Sequence, residues 1–182
     1  MVKNIYPIDK QSLRRLVTQL KSQLSATEKQ CEADAIFSQI EQNKWFSQSR
    51  NFAAYWALPD EMPTQQFIEK WYKQKNVYLP IVEGDTLIFR RYEGFEKMKN
   101  GEFGIQEPTG EILNNLNLLD FVIVPGVAFD LQNNRMGRGR GFYDRILSQT
   151  TAKKIGVAFK CQIFNTIPIC NTDIKMDFVF RS

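Results

Sequence analysis

Asn134 to Arg145 reads NRMGRGRGFYDR: Gly137, Gly139 and Gly141 alternate with Arg138 and Arg140, and the stretch closes on Phe142, Tyr143 and Asp144. Residues of these types at this spacing suit a phosphate. A strand, a glycine-rich loop and a helix N-terminus offer unpaired backbone N–H groups and the positive helix end to an anion. The two arginines add charge-assisted hydrogen bonds. The spelling matches neither the dinucleotide nor the P-loop fingerprint.

Other chemistries are narrowed by what the 182 residues contain. There is no histidine, which removes His-based triads, imidazole acid–base catalysis and His-liganded metals together. Cys31, Cys161 and Cys170 are odd in number and form no C-x-x-C pair, so reduced core thiols are expected in place of a disulfide framework or a thiolate zinc site. Asp144, Asp173 and Asp177 are the candidate hard-cation ligands, because Mg2+ takes one or two carboxylates together with waters and phosphate oxygens. Asp177 opens a strand and can instead be satisfied at its edge. The net charge of +4 indicates an anionic ligand without demanding a nucleic acid. No apolar run approaches a membrane span and the opening MVKNIYPIDK lacks the apolar stretch of a secretory signal, so the expectation is a cytoplasmic protein with no membrane partner.

The elements that must position these groups follow from periodicity. Leu13, Leu16, Val17, Leu20 and Leu24 recur at helical spacing after Asp9, a suitable N-cap, which predicts a helix from Lys10 to about Leu24. Lys10, Arg14 and Lys21 fall on one flank of its apolar stripe. Periodicity alone favours snorkelling basic residues there over a pair, Lys10 and Arg14, that reaches a phosphate. Ser25 to Glu28 has the capping-box spelling before a second helix. Phe52 to Trp56 reads as a buried strand, followed by a turn through Pro59 and Pro63 and a helix capped by Thr64. Glu61 lies just past that strand, on the edge that faces ligands in open α/β sheets, although taken alone it reads more readily as a solvated loop carboxylate.

Val77 to Val82 and Leu87 to Tyr92 predict two strands joined tightly at Glu83-Gly84-Asp85. Phe95 to Pro108 has no period and predicts an apolar, irregular loop that covers a core or lines a pocket. Asp120 to Asp130 predicts a central parallel strand, Phe142 to Leu147 a helix, and Lys154 to Phe159 and Met176 to Phe180 the last strands. Strands alternating with helices predict one three-layer α/β/α domain over residues 1–182 with a mainly parallel sheet.

Taken together, IVPGVAFD followed by NRMGRGRGFYDR resembles the signature of the 5-formyltetrahydrofolate cyclo-ligase family, a PG-x-AFD segment ahead of R-L-G-[YR]-G-x-G-Y-Y-D-R. Further matches run the length of the chain. They are Lys10 and Arg14 as K-x-x-x-R, Asp60, Glu61 and Thr64 as D-E-x-x-T, Phe103 to Pro108 as F-G-I-x-E-P, and Asp173 and Asp177 as D-x-x-x-D. The resemblance implies a NagB/RpiA-like fold and a monomeric enzyme that converts 5-formyltetrahydrofolate to 5,10-methenyltetrahydrofolate with ATP and Mg2+, releasing ADP and phosphate.

Carried over residue by residue, the resemblance assigns Lys10 and Arg14 to the ATP phosphates, reversing the snorkelling preference. Gly137, Arg138, Gly139, Arg140, Gly141, Phe142, Tyr143 and Asp144 would wrap those phosphates, with Arg138 and Arg140 stabilising transferred charge and Tyr143 at the junction with the folate. Asp144 and Asp173 would hold Mg2+. Trp56 and Glu61 would face the folate, with Met98 and Phe103 as further wall residues. The chain departs from the pattern at Met136 and Phe142, which stand for Leu and Tyr, and at Thr172, where many relatives carry His. Two other function classes compete. A non-catalytic folate- or nucleotide-binding relative would keep Glu61 and the loop without coupling ATP cleavage to cyclisation. RNA binding through the Arg-Gly alternation is disfavoured, because one short tract without a long basic stripe is a poor nucleic-acid footprint.

Overall fold

The computed structural model describes residues 9–101 and 104–182. The chain opens with α1 (Lys10–Ser22), whose N-cap Asp9 accepts hydrogen bonds from the backbone N–H groups of Gln11 and Ser12. Ser25 and Glu28 form the expected capping box at α2 (Ala26–Glu41), and α3 (Lys44–Gln48) buries Phe46. Then come β1 (Asn51–Ala53), α4 (Gln65–Trp71), and the antiparallel pair β2 (Asn76–Glu83) and β3 (Thr86–Arg91). Thr64 does not cap α4. Its buried hydroxyl donates to the carbonyl of Tyr55, so it ties the helix start to the chain leaving β1.

β4 (Met98–Asn100) and β5 (Gln106–Pro108) pair antiparallel, so the stretch expected to be irregular holds a short hairpin. Three residues per strand are too few for an alternation of apolar and polar side chains to register in sequence. The remaining elements are β6 (Phe121–Val124), β7 (Ala128–Asp130), β8 (Arg135–Met136), α5 (Phe142–Leu147), β9 (Lys153–Ala158), β10 (Ile163–Phe164) and β11 (Phe178–Arg181).

The main sheet runs β11-β9-β6-β1-β2-β3, and every neighbouring pair but β2 and β3 is parallel. Phe52, Phe121, Ile123 and Ile155 face α2, α3 and α4 on one side. The alternate residues Ala53, Val122, Val124 and Val179 face Ile146 and Leu147 of α5 and Phe129 on the other. This is the expected three-layer arrangement, with one difference. The layer containing α5 also contains a three-stranded sheet, β10-β7-β8.

That second sheet corrects the expectation of one continuous strand over Asp120–Asp130. β6 belongs to the main sheet and β7 to the small one, and the chain changes sheet at Pro125-Gly126. Proline offers no ladder donor. A side chain at Gly126 would approach the Phe129 ring to 2.4 Å, so only glycine allows the chain to turn this closely. Leu13 and Val17 of α1 are fully buried against Ala128, Met136 and Phe164 of the small sheet. At about 1.5–3 kcal/mol for each fully buried side chain of this size, these contacts fix α1 beside the loop that follows β8. Lys154 N–H donates to Asp177 at 2.7 Å, which is the strand-edge role anticipated for that carboxylate.

Candidate active site

Two cavities meet at the glycine loop. The first, about 350 Å³, is lined by Tyr55 and Trp56 after β1, by Pro80, Val82 and Leu87 of the β2–β3 hairpin, and by Glu61. It lies where the parallel strands β1 and β6 deliver their C-terminal ends, and its size is that of a small-molecule site. Trp56 is half-buried, and its ring stacks on Phe95 and leans on Tyr92, with centroids 6.0 and 5.6 Å away. Wall and strand are therefore held by the same packing.

The second cavity, about 640 Å³, is lined by Lys10 and Arg14 of α1 and by Cys170 to Ile174. Gly137, Gly139, Gly141 and Asp144 line both cavities, while Arg138, Arg140, Phe142 and Tyr143 face the first. Gly139 has φ +112, and a side chain there would point at the Arg14 guanidinium, 3.5 Å away. That distance is ordinary contact, so it is the backbone conformation and not the space that calls for glycine here. Arg14 Nε donates to the Gly137 carbonyl at 3.0 Å, so α1 holds the loop directly. α5 is only six residues long and its N-cap Gly141 makes no side-chain cap bond. The positive charge offered by the loop therefore rests more on Arg138 and Arg140 than on a helix dipole.

Charged side chains are paired across both cavities. Arg138 donates to Asp60 at 2.7 Å and to Glu61 Oε1 through Nη2 at 3.1 Å and Nε at 3.2 Å. Glu61 Oε2 accepts from the Leu58 N–H at 3.1 Å, so the carboxylate that sequence reading left solvated is held at the cavity wall. Asp60 also accepts from Lys21 Nζ at 2.7 Å. Partial burial would raise the Asp60 carboxyl above its ordinary value, but Lys21 and Arg138 outweigh that and hold it below. Burial, together with the negative charge of Glu61, pushes the phenols of Tyr55 and Tyr143 well up, so both remain neutral hydroxyls at any working pH.

In the second cavity Lys10 pairs with Asp173 and also reaches Cys170 Sγ at 2.8 Å. Asp144 Oδ1 accepts from Arg135 at 2.9 Å and from the Ile174 N–H at 3.1 Å. Among the described residues no three His, Cys, Asp or Glu side chains cluster to cage a metal. The hydrogen bonds of Asp144 and Asp173 engage one oxygen of each carboxylate, Oδ1 and Oδ2 respectively. Two carboxylates in one cavity, each with one oxygen unbonded among the described residues, fit a hard cation that keeps several waters and shares phosphate oxygens.

The model of the 5-formyltetrahydrofolate cyclo-ligase family matches residues 8–182. The chain belongs to that family. A Haemophilus influenzae 5-formyltetrahydrofolate cyclo-ligase is 35% identical over 92% of this chain and 94% of its own. The solved Aquifex aeolicus 5,10-methenyltetrahydrofolate synthetase superposes with a TM-score of 0.86 at 34% identity, covering 94% of this chain and 89% of its own. A Mycoplasma pneumoniae synthetase shares the fold, with a TM-score of 0.75 at 24% identity over 95% of this chain and 98% of that one.

As a cyclo-ligase family member, the chain gathers most of the residues the sequence singled out. Trp56, Glu61, Arg138, Arg140 and Tyr143 line the first cavity, and Lys10, Arg14, Asp144 and Asp173 the second. Met98 does not reach either lining and packs toward the core under α2 to α4. Phe103 lies outside the described residues. Cys31 and Cys170 are exposed and Cys161 is only half-buried, so the expectation of core thiols is corrected. Reduced cysteine is among the most often buried residue types, so composition pointed to the core and only the fold shows otherwise.

Sequence reading missed Arg135. It is buried, donates to the Pro125 carbonyl at 3.1 Å as well as to Asp144, and places its guanidinium 5.6 Å from the centre of the Tyr143 ring. Its Nε is buried with no hydrogen-bond partner among the described residues. The available signal was its position, an arginine within the two-residue strand that precedes the loop.

Proposed function

We propose that this enzyme, which converts 5-formyltetrahydrofolate to 5,10-methenyltetrahydrofolate, binds the folate in the apolar cavity and the phosphates of ATP in the polar one. The observation that carries the reading is the shared wall. A loop of glycines and arginines separates a cavity walled by Tyr55, Trp56, Pro80 and Val82 from one walled by Lys10, Arg14 and paired carboxylates. Two substrates of matching chemistry would meet across it.

A formamide oxygen is a poor leaving group. Its attack on the γ-phosphorus breaks the bond to ADP, which leaves, and gives an imidate phosphate. N10 of the same folate then attacks the imidate carbon, the carbon–oxygen bond breaks to release inorganic phosphate, and N10 gives up its proton. The nucleophile is already within the substrate, so the protein's part is alignment and charge neutralisation. Trp56 offers its ring to the folate, and Glu61 accepts hydrogen bonds from the pterin's amino and N–H groups. Lys10 and Arg14 hold the phosphates from α1. Arg138 and Arg140 stand on the loop between the cavities and stabilise the phosphoryl group in transit, while the neutral Tyr143 hydroxyl donates at the boundary. Asp144 and Asp173 would hold Mg2+, which supplies charge neutralisation to the phosphate oxygens. We further propose that the whole chain acts as one domain.

Incubating the pure protein with 5-formyltetrahydrofolate and Mg-ATP should raise the absorbance of the methenyl product in step with ADP. Binding of both ligands without product would favour a non-catalytic relative. Replacing Asp144 by Asn should raise the Mg2+ concentration needed for half-maximal rate. Indifference to metal in that variant would remove Asp144 from the ligand set.

A further inference from the structure

Lys21 is 4% exposed and belongs to none of the groups assigned above. It sits in the last turn of α1, seven residues beyond Arg14 and so on the same flank of the helix. Its ammonium donates to the Asp60 carboxylate and to the Asp60 backbone carbonyl, each at 2.7 Å. It therefore grips both the side chain and the peptide leading into Glu61. The Glu61 N–H closes the turn on the Leu58 carbonyl at 2.9 Å, and the Glu61 carboxylate returns to the Leu58 N–H. Whatever fixes this turn fixes the direction of the Glu61 carboxylate.

The same helix holds the other loop, because Arg14 donates to the Gly137 carbonyl. One rigid helix thus touches the Glu61 turn at its C-terminal end and the glycine loop nearer its N-terminal end. From this juxtaposition we infer that Lys21 is a positioning residue: through Asp60 it sets where Glu61 stands relative to the arginine loop, and with it the alignment of folate to phosphate. The inference rests on the assignment of Glu61 to the folate. Stability alone does not account for the lysine, since replacing a buried ion pair by an apolar side chain of similar volume is often neutral or favourable. Asp60 accepts from Arg138 through its other oxygen, so one carboxylate bridges Lys21 of the helix and Arg138 of the loop.

The test is a cycle of K21M, D60N and the double variant in the full-length enzyme, with KM for each substrate, kcat and the thermal midpoint. Loss of a hydrogen bond between charged groups predicts that K21M raises the folate KM about tenfold or more. The ATP KM should stay within about twofold and the midpoint within a few degrees, because the Asp60 carboxylate left behind is 44% exposed and keeps Arg138 as a partner. Adding K21M to D60N should raise the folate KM by clearly less than K21M does in the wild type, because only the bond to the Asp60 carbonyl is then left to lose. Effects that multiply, an ATP KM that rises as far as the folate KM, or a lowered midpoint with unchanged kinetics would each overturn the inference. If K21M does not accumulate as folded protein, K21Q takes its place with the same expectations. E61Q separates the two levels. An unaltered folate KM in E61Q would remove the folate assignment and the inference with it, whereas an impaired E61Q beside an unimpaired K21M would overturn the inference alone.

Discussion

The cavities on either side of the glycine loop are built by different means. The apolar one is walled by strand ends and by a stack of Trp56 on Phe95 and Tyr92, so its shape is a property of the core. The polar one is walled by side chains projecting from α1 and by the Cys170 to Ile174 segment, and its order depends on the partly exposed pair Lys10–Asp173. Packing resists small changes and is indifferent to salt, whereas partly exposed ion pairs rearrange and are screened. On the proposed placement of the substrates, the difference amounts to a division of labour, with selection by shape for the folate and by charge for ATP. Arg138 is the junction of loop and apolar wall, because it stands on the shared loop, faces the apolar cavity and is held there by Asp60 and Glu61.

The largest effect should come from breaking that junction. Replacing Arg138 by Ala should lower kcat by about 10² or more, the usual loss on removing one donor to developing transition-state charge. It should also alter folate KM, because Glu61 loses its partner. Steady-state kinetics with each substrate varied would check both, and an unchanged kcat would reduce Arg138 to a surface tie. Next comes Lys10→Met, which should raise ATP KM about tenfold, as expected for a lost charge-assisted hydrogen bond, and leave folate KM within about twofold. Equal rises in both would mean that the cavities do not divide the substrates. A milder perturbation sharpens the same contrast. Raising ionic strength from about 0.05 to 0.5 M shortens the screening length several-fold, so ATP KM should rise more steeply than folate KM.

How much of this was legible in the sequence depended on range. The α1 cap, the Ser25–Glu28 box and the bounds of α5 are local, and periodicity with capping chemistry located them. The break of Asp120–Asp130 into two sheets was not legible, since its apolar residues suit either sheet and only the approach of Gly126 to Phe129 shows why the chain turns. Glu61 looked solvated because its partner, Arg138, is 77 residues away in the chain. Lys21 looked like a snorkelling residue for the same reason, with Asp60 39 residues distant. Arg135 was hidden by its neighbours, which drew attention to the glycines while the arginine that orients Asp144 lay just ahead of them.

The smallest effect lies at the rim of the apolar cavity, where one of its charged supports, Asp60, can be titrated. Asp60 is held below its ordinary 3.8 by Lys21 and Arg138, against the partial burial that opposes them. A carboxyl depressed by folding contributes stability that is whole above its unfolded value and is lost as pH falls through its folded value. Wild type should therefore lose its advantage over D60N as pH drops from about 5 to 3. With the Asp60 side chain 44% exposed, that advantage should be under about 1 kcal/mol even at pH 7. Urea midpoints of the two proteins across that range would measure it. A gap that persists undiminished to pH 3 would mean that packing supports this rim as well, and the contrast between the cavities would narrow to the phosphate side.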